Sequence, residues 1–276
     1  MNSRSFIALL ALCAGLPGLA RAGVYVEMAD RKAGSTETKL VQKMYIQGTS
    51  GRFVDVSDRG EGNDSTRETA TLIKDGTLYA IDDEDKSYVM LDKASMDQLG
   101  KKLSAGIEQM REQLSKMPEE QRAQMEQMLA KQIPGFSTGQ KWSVESVDTG
   151  ETDKVDGRSC HLWDVKRNGE LDEQLCVVPF AALPGKENFQ AVFGNFAKVF
   201  EEMAKTVPML AGLMSNEFAA QEKINGFPVR SRDYENGKLS DVERVMRVWR
   251  EESVPASMFQ VPAGYKKKAM EDLAGL

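Results

Sequence analysis

The sequence predicts an α+β fold, with helices packed into the concave face of an antiparallel sheet and a helical hairpin inserted between two runs of strands. Three observations predict it. Short alternating segments joined by Asp-Gly and Asn-Gly pairs recur over residues 24–91, 140–178 and 227–250, and such segments read as hairpins. Residues 93–133 and 186–207 instead space their apolar residues by three and four, which places them on one face of a helix. The order is therefore β, α, β, α, β with hairpin-joined strands, which argues for an antiparallel sheet with one covered face and against a parallel βαβ sheet.

The chain opens on a leader. Arg4 supplies a short positive region, Phe6 to Leu19 is an apolar run interrupted by small residues and Pro17, and Ala20-Arg21-Ala22 offers small residues where a signal peptidase needs them. A signal peptide is expected over residues 1–22, with cleavage near Ala22-Gly23 and a periplasmic or secreted mature protein. The run is too short to span a bilayer, and no later stretch is apolar enough to do so. Cys13 follows Leu10-Ala11-Leu12. Leu12 is not the small residue that a lipid-modification site needs there, so Cys13 is expected to leave with the leader.

Cleavage would leave 254 residues and remove Arg4 and Arg21 but no acid, taking the net charge from −6 to −8. An acidic chain is not built to hold phosphate backbones, so nucleic acid is an unsuitable partner. Simple electrostatic attachment to an anionic membrane is disfavoured for the same reason.

Residues 24–91 read as antiparallel β. Gly48-Thr49-Ser50-Gly51 separates runs containing Tyr45 and Phe53, and Gly60-Glu61-Gly62-Asn63-Asp64 is a polar loop. Asp75-Gly76 lies between Thr71-Leu72-Ile73 and Leu78-Tyr79-Ala80-Ile81, a short-hairpin signature because both residues tolerate positive φ. Asp82, Asp83, Glu84 and Asp85 make the next turn and read as solvated. They lack the alternating spacing and central Gly of a calcium loop.

Met96, Leu99, Leu103, Ile107, Met110, Leu114 and Met117 form the first helical stripe. Pro118 re-starts the helix, Glu119-Glu120 suit its new N-terminus, and Pro134-Gly135 closes the hairpin after Met125, Met128, Leu129 and Ile133. The second helical region carries Phe189, Val192, Phe193, Phe196, Val199, Phe200, Met203 and Val207 on one face, and a short helix around Leu210–Lys223 follows Pro208. Asn236-Gly237 turns the next hairpin with Glu235 facing Lys238. Residues from Val261 onward are expected to form a last short strand.

Once the leader is gone, Cys160 and Cys176 are the remaining cysteines, and an even pair in an exported chain reads as one disulfide. If Arg167-Asn168-Gly169 is a three-residue loop, Cys160 falls directly opposite Cys176. Facing Cα atoms lie ~4.5–5.5 Å apart, within bridging range. A two-residue Asn168-Gly169 loop would put them on opposite faces. The disulfide therefore predicts the three-residue loop.

Chemistry-bearing motifs are scarce. His161 is the single histidine and adjoins Cys160. Neighbouring strand residues point to opposite faces, so a Cys–His nucleophile pair is not expected, and one histidine excludes multi-His zinc sites. Neither a Gly-rich phosphate loop nor a Gly-x-Ser-x-Gly elbow is present. The methionines raise the chemistry of Cu(I), but Met96, Met110, Met117, Met125 and Met128 share a helical stripe with Leu and Ile and read as adaptable packing. No enzyme activity, metal or cofactor is expected. Phe189, Phe193, Phe196 and Phe200 are the candidate lining of an apolar cavity.

Several segments together resemble a known pattern. They are Lys43-Met44-Tyr45-Ile46-Gln47-Gly48 with Gly51-Arg52-Phe53, Leu72 through Asp82 with Lys86-Ser87-Tyr88, Gly150-Glu151-Thr152, Val155 through Cys160, and Phe259 through Tyr265. They resemble an uncharacterised exported bacterial family with a domain of unknown function, whose fold is similar to that of the lipoprotein-localisation carriers. The resemblance implies an unclosed antiparallel half-barrel around helices, spanning residues 23–276 as one domain that includes the insertion 93–135 and helices 186–223. In those carriers the concavity receives acyl chains. This chain departs from them by the helical insertion and the cysteine hairpin. Arg52 stands where the pattern has its arginine and reads as an exposed strand residue.

The functional expectation is a periplasmic, non-enzymatic protein that holds a lipid or acyl chain in the half-barrel. The alternative is a cell-envelope module that docks a protein partner through its amphipathic hairpin. A hydrolase would require a cleft that joins several acids.

Overall fold

The computed structural model describes residues 22–58, 66–132, 143–206, 216, 219–235 and 237–269. Residues 1–21 of the expected leader, the loop 60–64, the Pro134-Gly135 stop, most of 207–218 and the turn residue Asn236 lie outside the described residues. No helix among those described is long and apolar enough to cross a membrane.

A six-strand meander comes first: β1 (Gly23–Lys32), β2 (Lys39–Gln47), β3 (Ser50–Asp58), β4 (Thr66–Lys74), β5 (Thr77–Asp82) and β6 (Ser87–Leu91). The hairpin α1 (Lys93–Ser115) and α2 (Glu119–Gln132) follows, then β7 (Val144–Val155), β8 (Arg158–Arg167) and β9 (Glu170–Pro179). After α3 (Lys186–Thr206) come β10 (Gly226–Glu235), β11 (Lys238–Leu239), β12 (Val242–Glu252) and β13 (Lys266–Lys267). The sheet runs β13-β6-β5-β4-β3-β2-β1-β12-β10-β9-β8-β7, with β11 paired to β10. Its described ends, β13 and β7, do not pair, so the sheet is open. β13 is parallel to β6 and the other pairings are antiparallel. The final strand thus begins at Lys266, later than the sequence suggests, and joins an edge rather than a hairpin.

Turn chemistry sets the hairpins. Asp75 and Gly76 have φ of 50° and 73°, and Asn168 and Gly169 have 51° and 84°, the left-handed pair that a two-residue turn requires. Lys74 pairs with Thr77, and Arg167 with Glu170. The cysteine hairpin therefore uses the two-residue loop, not the three-residue loop expected. The disulfide forms all the same, with Cα atoms 5.3 Å apart. The reason is a bulge. Lys166 pairs with Leu171 but Val165 pairs with Glu173, leaving Asp172 as the extra residue, ion-paired to Arg167. One inserted residue flips parity. Cys176 then faces Leu162, and the bridge runs diagonally to Cys160 on the same face.

Helix α1 begins at a reciprocal cap. The Asp92 side chain accepts from the Ser95 N–H at 2.9 Å, and the Asp92 N–H donates to Ser95 Oγ at 2.8 Å, satisfying two amides that the first turn leaves open. The layers run sheet, α3, α1, α2: α3 lies on β1 and β2, α1 on α3 and β6, and α2 on α1.

The sheet is covered on both faces in part, where the sequence suggested one. The main core joins Val24, Val26, Met28, Met44 and Ile46 to Phe189 and Val192 of α3 and to Cys160 and Cys176. On the other face, Val54, Ala70, Leu72 and Ile81 pack under the C-terminal segment with Val254, Phe259 and Tyr265. A third cluster sets Ile224 against Val165, Leu175 and Val177. Runs such as Leu175-Cys176-Val177-Val178, buried at every position, are what strands covered on both faces produce. Between those covers Tyr25 lies 4.9 Å from Tyr45 and donates to Glu27 at 2.6 Å, and Arg250 lies over its ring at 4.5 Å.

Candidate functional site

A groove of about 240 Å³ opens between α3 and the sheet, lined by Gln42, Phe53, Asp55, Thr71, Ile73, Val192, Phe193 and Phe196. Its wall is built by alternation. Phe53 and Asp55 are two apart on β3, Thr71 and Ile73 two apart on β4, so each pair shares a face. Phe53 is registered opposite Thr71, and Gln42 opposite Asp55. Gln42 Nε2 donates to Asp55 Oδ1 at 2.8 Å, giving the groove one polar end beside its apolar walls.

Two asparagines that the sequence reading passed over hold α3 in place. Asn188, buried, accepts from the Gly48 N–H at 2.7 Å and, in the uncleaved chain, donates to the Ala22 carbonyl at 3.1 Å. Asn195 donates to the Thr49 carbonyl at 3.1 Å. Both residues seize the β2–β3 turn, whose backbone groups the ladder does not use. An Asn seven residues from another Asn on a helix, facing the same stripe side, was the available signal. Gly51 sets the closeness of approach: a Cβ there would stand 2.9 Å from Val192 Cγ2 and 2.9 Å from Phe53 Cε2.

The four candidate phenylalanines separate. Phe193 and Phe196 line the groove, and Phe193 is 39% exposed. Phe189 has no exposed surface and sits in an aromatic cluster, its ring centre 4.7 Å from Trp249 and 5.4 Å from Phe227. The side chain of Phe200 lies outside the described set.

Behind the groove wall, the acidic turn differs from expectation. Asp82 is 1% exposed, not solvated. It accepts from Arg67 at 2.6 Å and from the Glu84 and Asp85 N–H groups at 2.9 and 3.1 Å. Burial alone would raise its carboxyl. The bonds from Asp85, Arg67 and Glu84 outweigh it and hold the group below the usual carboxylate range. Arg52, expected exposed, is 7% exposed and faces Asp83 at 3.4 Å, which also accepts from the Tyr265 hydroxyl at 2.8 Å. The C-terminal cover explains both departures: Phe259 and Tyr265 roof this face. The sequence offers no local sign of a cover supplied from two hundred residues away.

His161 is exposed, and Cys160 beside it is buried. Glu173 stands directly opposite Asp233, and burial, then the Asp233 charge, raises its carboxyl. Neither acid lines the groove. Among the described residues no group of three His, Cys, Asp or Glu is placed to hold a metal ion.

The profile of a family described as a domain of unknown function, DUF4412, matches residues 95–265. The chain belongs to this family. The matched span begins in α1, takes in the cysteine hairpin and α3, and ends at Tyr265. No curated protein matches the chain. Among solved structures, an uncharacterized conserved protein from Thermus thermophilus is similar at a TM-score of 0.42 and 8% identity, over 91% of each chain.

Proposed function

We propose that this chain is an exported, non-enzymatic binding protein that seats an acyl chain or other lipid tail in the groove between α3 and strands β2–β4. The observation that carries the reading is the exposed Phe193 over a groove walled by Phe53, Ile73, Val192 and Phe196. A large exposed aromatic beside an apolar concavity is costly unless something covers it. Gln42, Asp55 and Thr71 supply the few polar groups that orient a ligand in such a site. The resemblance to the lipoprotein-localisation carriers, whose concavity receives acyl chains, points the same way. At about 240 Å³ the groove is smaller than a drug-sized pocket, which suits part of one extended chain rather than a whole lipid.

The test is native mass spectrometry of the protein purified from the periplasm, with lipid extraction of what accompanies it. A stoichiometric apolar adduct is expected, lost in the folded Phe193→Asn/Phe196→Asn variant. A bare mass for the wild type, together with no uptake of added palmitate, would refute the reading. The alternative, a partner docked on the helical hairpin, has one exposed large apolar residue among the described side chains of that hairpin, Met128 at 47%.

A further inference from the structure

A second cavity, of about 220 Å³, lies away from the groove and is lined by Arg158, Ser159, Val178, Ala182, Leu183, Pro184 and Trp249. Val178 and Leu183 are buried and form an apolar floor. Trp249 is fixed from both sides. Its indole N–H donates to the Pro184 carbonyl at 2.9 Å, and its ring stacks on Phe189 and meets Phe227 edge-on at 5.0 Å. One wall of the cavity is thus an aromatic face held in place. At its rim stands Arg158, the first residue of β8, half-buried and with no carboxylate partner among the described residues. The contrast with its neighbours is direct: Arg31 is paired to Asp156 and Glu243, and Arg230 to Asp153. A half-buried guanidinium with open donors beside an apolar floor is placed to take an anion with an apolar body.

From this geometry we infer that the cavity binds a small amphiphilic carboxylate, its apolar body against Trp249, Leu183 and Val178 and its carboxylate on Arg158. Size bounds the ligand. An enclosed apolar cavity of about 150 Å³ holds benzene, so this open one has room for a single six-membered ring with its carboxyl group. The guanidinium presents a planar fork that matches a carboxylate in two bonds. Ser159, exposed at the same rim, adds a hydroxyl that can donate. All seven lining residues fall inside the span matched by the family profile, 95–265, whereas Gln42, Phe53, Asp55, Thr71 and Ile73 of the groove fall outside it. The two linings share no residue, so the slot is distinct from the proposed lipid groove.

The experiment is an NMR titration of the full mature chain with benzoate, reading the Trp249 indole N–H, assigned by its loss in Trp249→Phe. Benzoate should shift that resonance with a Kd of about 1 mM or tighter, and the neutral isostere benzamide should bind at least about tenfold more weakly. Arg158→Gln should weaken benzoate by about tenfold or more, and Arg158→Lys should restore part of the loss. Ala182→Phe, a substitution at an exposed position of the lining, should block the slot to both probes without touching the core. Equal binding of benzamide, an unchanged affinity in Arg158→Gln, or no shift with any probe overturns the inference. A tenfold preference for phenylphosphate overturns the carboxylate assignment. Loss of lipid from Phe193→Asn/Phe196→Asn leaves this titration unaffected, so the two sites stand or fall separately.

Discussion

Phe189 and Phe193 stand one turn apart on the same face of α3, and the structure uses them in opposite ways. Phe189 is fully buried among Trp249, Phe227, Phe193 and Phe180, ring centres 4.7 to 6.3 Å away. Phe193 remains 39% exposed. What lies beneath each ring makes the difference. Under Phe189 the sheet presents Val24, Phe227 and Trp249, which close around it. Beside Phe193 and Phe196 it presents Gln42, Asp55 and Thr71 along with Phe53 and Ile73, and Gln42 and Asp55, bonded to each other, cannot close over an aromatic ring without losing that partner. One stripe therefore anchors the helix at its start and forms the wall of a groove further along.

The sharpest way to break the comparison is at the anchored end. Phe189→Ala empties a fully buried aromatic site and should cost about 3–5 kcal/mol, seen as a lower urea midpoint at unchanged slope. The same core contains the Cys160–Cys176 bridge. Replacing both cysteines with Ala should cost about 3 kcal/mol for a loop of this length, measured by the same denaturation under oxidising conditions, with reduction of the wild type giving a matching loss. A smaller effect is expected behind the groove wall. Asp82→Asn weakens the bond from Arg67 and the two turn N–H bonds, a loss of about 2 kcal/mol at neutral pH. The folded carboxyl is held below its ordinary range, so its contribution is present above the unfolded value of about 4 and disappears as pH falls through and below that value. Thermal unfolding of wild type and Asp82→Asn should therefore differ at pH 7 and converge in acid. A gap that persists at low pH would mean that Asp82 acts through packing instead.

Much of the fold was legible because its signals are local. Asp75-Gly76 and Asn168-Gly169 announce their turns by residues that accept positive φ, and the spacing of Phe189, Val192, Phe193 and Phe196 announces the face of α3. What was not legible depends on distant chain. The bulge at Asp172, which restores the parity that the disulfide needs, has no signature beyond an acid near Arg167. The burial of Arg52 and Asp82 follows from a cover supplied by Phe259 and Tyr265. The groove was half legible: periodicity gave the stripe, but depth along it is set by which side chains β2, β3 and β4 bring to the opposing wall, and that register is a property of the whole sheet.

The smallest stability effect is the one that bears most on function. Phe193→Ala removes a ring of the same size from the same helix face as Phe189→Ala, one turn on. Much of that ring already meets water, so less apolar surface is re-exposed and no closed cavity is left; the cost should be about 1 kcal/mol or less. If the groove seats a lipid tail, the same substitution should strip much of the bound lipid from purified protein while the unfolding midpoint hardly moves. Phe189→Ala should do the reverse at temperatures where it stays folded, keeping the lipid and losing stability. A large stability loss in Phe193→Ala with lipid content unchanged would make Phe193 a core residue like Phe189, and the division of α3 into anchor and wall would fall with it.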